Sequence, residues 1–196
     1  MFGRKRVVPP LSTPVAELEL LAVDMETTGV DPRRDSIVSI GWVPVRRGII
    51  DFSGAGYTLV RGASVGESAL VHGITDDALE HGADPADALA QLRDALDGKA
   101  LLAHFAALEV GFLEQALGRT LGVAVVDTFA IERRHMERMG TYPRGEDLRL
   151  ARVRERYALP TYRNHNALTD AQACAELYLA QVAASTARTL GDLIPR

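Results

Sequence analysis

The chain predicts an α/β protein, a mixed sheet flanked by helices. Three observations carry the prediction. Apolar runs of strand length, separated by turn residues, fill roughly the first sixty positions. Beyond residue 85 the apolar spacing changes to a helical period. Short apolar runs then alternate with those helices, as in a layered sheet-and-helix domain. A length of 196 residues, 47% of them apolar and 24% charged, suits one globular domain with a proper core.

In order along the chain, residues 1–16 carry Pro9, Pro10 and Pro14 without periodicity and read as an irregular tail or linker. A strand over 18–25 leads into a loop through Gly29, Asp31 and Pro32. Strands over 37–45 and 49–60 are joined by a tight turn at Arg46-Arg47-Gly48, giving an antiparallel meander of three strands. A helix follows over 86–96, with Ala88, Leu89, Leu92, Ala95 and Leu96 on one face. Then come a strand over 99–103, a helix over 106–117 stopped by Gly118, and a short strand over 123–126. Helical stretches near 128–138 and 147–157 precede the last clear helix, 166–183. The folded domain therefore runs over 17–184, and 185–196 read as a C-terminal tail.

Composition narrows the function classes. No apolar run approaches the ~20 residues that cross a bilayer. The basic start, Met1 to Arg6, is followed by Val7-Val8-Pro9-Pro10 rather than a long apolar stretch, so export is not expected. A single cysteine, Cys174, excludes an internal disulfide framework and fits a reducing cytoplasm. Net charge is −4, from 22 basic and 26 acidic residues, which argues against coating nucleic acid through bulk positive charge. Arg144, Arg149, Arg152, Arg154, Arg156 and Arg163 crowd one segment, yet Glu146, Asp147 and Glu155 are interspersed. A nucleic-acid contact and a solvated helix face both explain that run.

Chemistry concentrates at a few polar positions. Asp24 and Glu26 close the apolar run that ends at Val23, and side chains two apart on a strand point the same way, roughly 6.6 Å apart. Beside a buried element such a pair repels itself unless a cation or a frayed strand end relieves it. Glu109 lies inside an otherwise apolar helical turn. Asn166 is a helix N-cap candidate, with His165 just before it, and Asp170 shares a helix stripe with Cys174 and Leu177. Singly, each has an ordinary structural explanation: a surface ion pair, a turn plug, an acid at the positive helix end.

Together their order resembles the DEDDh 3′–5′ exonucleases, the family that includes the proofreading epsilon subunit of bacterial DNA polymerase III. Val23-Asp24-Met25-Glu26-Thr27-Thr28-Gly29, with Asp31-Pro32 and Ile37-Val38-Ser39-Ile40-Gly41, is similar to the family's opening strand and hairpin. Val71-His72-Gly73-Ile74-Thr75 resembles its His-Gly-Ile-Thr loop, and Val126-Asp127-Thr128 its short Asp-Thr segment. His165 to Asp170 matches His-x4-Asp; the tyrosine variant would carry Tyr where Asn166 stands. The second motif departs: His104-Phe105-Ala106-Ala107-Leu108-Glu109 stands where the family has His-Asn-Ala-x-Phe-Asp. Phe105 thus replaces asparagine, Leu108 phenylalanine, and Glu109 an aspartate one bond, about 1.5 Å, shorter.

The resemblance implies a ribonuclease H-like fold, three antiparallel strands followed by two shorter parallel strands. It implies a metal-dependent exonuclease that releases 5′-mononucleotides from the 3′ end of single-stranded nucleic acid, DNA before RNA. Two divalent ions, Mg²⁺ or Mn²⁺, would be held by Asp24, Glu26, Glu109 and Asp170, since both ions favour oxygen donors. His165 would be the general base. Thr27, His72 and Leu108 would contact the terminal nucleotide, and Asp127 is read as structural. A DNA polymerase is a partner the resemblance allows; a membrane is not expected. Two other readings stay open: a weak or inactive nuclease-fold module that binds nucleic acid or a polymerase, and an oligoribonuclease-like RNA exonuclease.

Overall fold

The computed structural model describes residues 8–163 and 165–194. Of the two expected tails, 1–7 and 195–196 lie outside the described residues.

The sheet is built from β1 (Glu19–Thr27), β2 (Ile37–Arg46), β3 (Ile49–Ile50), β4 (Gly56–Leu59), β5 (Ala100–Ala103) and β6 (Val125–Asp127). Strand β2 pairs antiparallel with β1 on one side and with β3 and β4 on the other. Beyond β1 the sheet turns parallel, β1 to β5 and β5 to β6. The mixed sheet and its change of direction follow the sequence expectation.

The helices are α1 (Ala69–His72), α2 (Asp76–Glu80), α3 (Pro85–Ala95), α4 (Ala107–Leu117), α5 (Thr128–Arg138), α6 (Leu150–Arg156), α7 (Ala167–Ala183) and α8 (Leu190–Leu193). Side-chain caps start several of them: Asp84 accepts from Ala86 N–H, Asp127 from Phe129 N–H and Asn166 from Thr169 N–H. Gly118 ends α4 in the left-handed conformation that suits a glycine.

Three local differences from the sequence reading have physical causes. The strand expected over 49–60 is two strands, because Asp51 accepts from Ser53 N–H and pairs with Arg46, folding Phe52–Gly54 into a single 3₁₀ turn. Helices α1 and α2 were not anticipated: each is little more than a turn, and α1 leaves Leu70 and Val71 exposed, so no apolar period announces it. Within 185–194, read as tail, α8 buries Leu190 and Leu193 against Leu18 and Tyr178. Thr189 also forms an antiparallel bridge with Pro14, so both flanks of the domain pack together.

The sheet separates two apolar clusters. Leu21, Val23 and Met25 of β1 pack on one face with Leu92 of α3 and Phe112 of α4. Leu20 and Ala22 pack on the other with Cys174 and Tyr178 of α7. Strand alternation assigns these faces, and it also assigns the polar residues that follow.

Candidate active site

Asp24 and Glu26 have the same parity as Leu20 and Ala22, so they continue the face that α7 covers. On α7, Asp170 lies one turn before Cys174, which is packed in that cluster. The two patterns meet. One oxygen from each of Asp24, Glu26 and Asp170 lies within 4.8 Å of the others.

A glycine makes this approach possible. Gly41 pairs across from Asp24, and a Cβ built on it would stand 2.2 Å from the backbone carbon of Ala167. Helix α7 therefore rests on bare backbone at its first residue. Ser39 lies across from Glu26, so the two share a face; Ser39 is fully buried and its Oγ has no hydrogen-bond partner among the described residues.

Glu109 comes from the first turn of α4, immediately after β5. It is outside the group of three, yet its charge is the largest electrostatic influence on Asp24. Only 3% of its surface is exposed, and its buried Oε2 has no hydrogen-bond partner among the described residues.

Burial and mutual repulsion set the acidities. Burial, then Glu109, Asp170 and Glu26 in turn, hold Asp24 well above the usual carboxylate range. Burial followed by the Asp170 charge raises Glu26 to about 7. Burial raises Glu109 to about 8; the charge of Asp127 adds to this and the residue's own backbone N–H opposes it. Asp170 is raised by burial too, against the N–H donated by His165. None of the four forms an ion pair among the described residues. An all-oxygen set whose carboxyl pKa values are raised, with a buried oxygen that has no partner among the described residues, fits a hard divalent cation.

His165 stands at the exposed lip of the cluster, in left-handed backbone (φ 68°). Its N–H donates to Asp170 Oδ2 at 2.8 Å, tying the loop to the first turn of α7. His72 closes α1 and has its proton affinity lowered by burial and then by His165. Ile74 N–H donates to His72 Nδ1 at 3.1 Å, which leaves the proton on Nε2 to donate to Ser68 Oγ. Thr27 follows a register shift in β1, and its hydroxyl donates to Gly29 O. Leu108 is half-buried against the cluster around Met25.

Asp127 is structural. Its Oδ1 accepts from Phe105 N–H and Phe129 N–H, both at 2.9 Å, and its Oδ2 from Ala106 N–H at 3.2 Å. The arginine run is partly structural as well. Buried Arg154 pairs with Glu176 at 2.7 Å and donates to the carbonyls of Ala173 and Pro160, while Arg156 pairs with Glu132 at 3.0 Å. Gly41 belongs to the site through its contact with α7, and no local period in the sequence marks it for that role.

No helix among the described residues is long and apolar enough to cross a membrane. A family model described as exonuclease, RNase T, matches residues 21–178. The epsilon subunit of DNA polymerase III from Treponema pallidum is 32% identical over 171 residues, covering 83% of this chain and 75% of that protein. The PolC-type DNA polymerase III of Bacillus subtilis is 31% identical over 157 residues. The chain spans only about 11% of the length of that polymerase and of the similar one from Thermotoga petrophila. Among solved structures, a zinc-bound complex of E. coli exonuclease I with single-stranded DNA superimposes with a TM-score of 0.74. It is 13% identical and covers 90% of this chain and 42% of that one, a likeness of fold. Cell-death related nuclease 4 gives a TM-score of 0.69 at 16% identity, covering 87% and 65%. With the family model running from β1 into α7, over most of the chain, the chain belongs to the RNase T family of exonucleases.

Proposed function

We propose that the chain removes 5′-mononucleotides from the 3′ end of single-stranded DNA, using Asp24, Glu26, Glu109 and Asp170 to hold two divalent cations, Mg²⁺ or Mn²⁺. The observation that carries this reading is the convergence of three carboxylates within 4.8 Å beside a buried fourth whose Oε2 is orphaned. When bound, such a pair of ions would lower the pKa of water and stabilise the charge that develops in an in-line displacement.

The chain's own residues do the rest. The carboxylates orient, and because Glu26 and Glu109 are raised to about 7 and about 8, a bound cation would displace their protons to solvent. His165, exposed at the lip and anchored through its backbone to Asp170, accepts the proton of the attacking water at a ring nitrogen. Thr27, His72 and Leu108 border the terminal nucleotide, with His72 oriented by Ile74 and Ser68.

Relatives named as DNA polymerase III components, and a fold neighbour bound to single-stranded DNA, support DNA as substrate and a polymerase as partner. The test uses single strands labelled at either end, ribo or deoxy, with Mn²⁺ or Mg²⁺, for wild type and Asp24→Ala. Labelled mononucleotide released at once from the 3′ end of DNA by wild type alone supports the proposal. Release from the 5′ end, a preference for RNA, or no release with either ion overturns its direction, its substrate or its chemistry respectively.

A further inference from the structure

Phe105 occupies a position that apolar packing does not explain. It is 49% exposed and adopts φ 68°, a region disfavoured for a residue bearing Cβ. Asp127 holds it there, and the same carboxylate fixes Phe129, so one acid clamps the backbones of both aromatic residues. Their rings meet edge to face, centroids 5.1 Å apart. The guanidinium of Arg133 lies 5.1 Å from the Phe129 centroid, and Arg133 has no carboxylate partner among the described residues.

The location matters as much as the geometry. Ala22 pairs with Leu102, so continuing the parallel register puts Asp24 level with His104. Phe105 is the next residue, and Glu109 follows one helical turn later. An exposed aromatic held by a backbone hydrogen bond one residue beyond that level, next to a ring that carries an arginine with no carboxylate partner among the described residues, has the composition of a single-strand binding groove. A chain of net charge −4 cannot rely on bulk attraction to hold a polyanion, so base stacking has a larger share to supply.

We propose that Phe105, braced by Phe129, stacks against a nucleobase upstream of the nucleotide being removed, with Arg133 at the adjoining phosphate. This rests on the strand-end hydrolysis proposed above. It deepens that reading by assigning a binding role to one of the three residues at which the second motif departs from its family.

The test pairs side chain with base. Wild type, Phe105→Ala and Phe105→Trp are assayed with Mn²⁺ on a twelve-residue oligothymidylate and on the same strand abasic at the second or third position from the 3′ end. Binding of a fluorescein-labelled copy is followed by anisotropy in EDTA, and folding by the denaturation midpoint. Phe105→Ala is expected to raise KM on the full strand about ten-fold, with Phe105→Trp restoring it. On one of the abasic strands the difference should shrink to about two-fold. An unchanged KM, or the same ten-fold loss on both abasic strands, overturns stacking. If wild type cleaves nothing, the hydrolysis reading fails by itself. Stacking is then judged by anisotropy: weaker binding by Phe105→Ala supports it, and equal or absent binding by both proteins overturns it.

Discussion

Gly41 and Ala167 meet backbone to backbone: a Cβ on Gly41 would lie 2.2 Å from the carbonyl carbon of Ala167, far inside any real contact. Because Gly41 pairs with Asp24, this contact fixes how closely the first turn of α7 approaches the acidic end of β1. The separation of Asp24 and Asp170 is thus a property of two backbones in contact.

Gly41→Ala must push α7 off the sheet. The expected loss is about 1–3 kcal/mol, as for other overpacked sites, read as a fall in the denaturant midpoint. Hydrolysis with Mn²⁺ should fall with it. Stability within ~0.5 kcal/mol of wild type together with full activity would show that α7 can shift without consequence.

Without metal, stability should fall as pH rises. Folding raises Glu109 from 4.5 to about 8 and Glu26 from 4.5 to about 7, with burial as the first cause. Between the lower and upper values the folded state binds more protons than the unfolded chain, so this stabilisation is complete below about pH 4.5 and lost through about pH 8. Urea midpoints in EDTA should decline from pH 5 to pH 8, and Glu109→Gln should flatten the decline. A midpoint that rises across the window contradicts the assignment.

Cation binding should reverse that loss. At free Mn²⁺ one hundred times its Kd, a site present only in the folded state adds about 2.7 kcal/mol. Differential scanning calorimetry should show the rise for wild type and little or none for Asp170→Ala.

Asp127→Ala separates a structural acid from a ligand. Three backbone N–H groups lose their acceptor, so the fold should weaken by about 1–2 kcal/mol. The Mn²⁺-induced rise in Tm should survive. Its disappearance would make Asp127 part of the cation site.

Glu109→Asp should keep or raise the rate of mononucleotide release, since it shortens the carboxylate by one bond to the length the family carries. Single-turnover assays compare it with Asp170→Ala. A loss equally deep would show a site tuned to glutamate.

What could be read in the chain is what local periodicity encodes. Alternation along β1 put Asp24 and Glu26 on one face, and helical spacing put Asp170 in line with Cys174, because each regularity spans only a few residues. The break at Phe52–Gly54, the short helices α1 and α2 and the docking of α8 escaped detection. They depend on single side-chain bonds or on distant apolar partners that no local period records. Phe105 was visible as an unusual residue, but its left-handed backbone comes from an acid on another strand.

Which carboxylates exist, and which face of its own element each occupies, is written locally in the chain. That three of them meet within 4.8 Å, with the fourth buried nearby and its Oε2 without a partner among the described residues, is a result of packing. The reason is physical: periodicity sets directions within an element, whereas distances between elements come from packing, here from α7 seated on the bare backbone of Gly41.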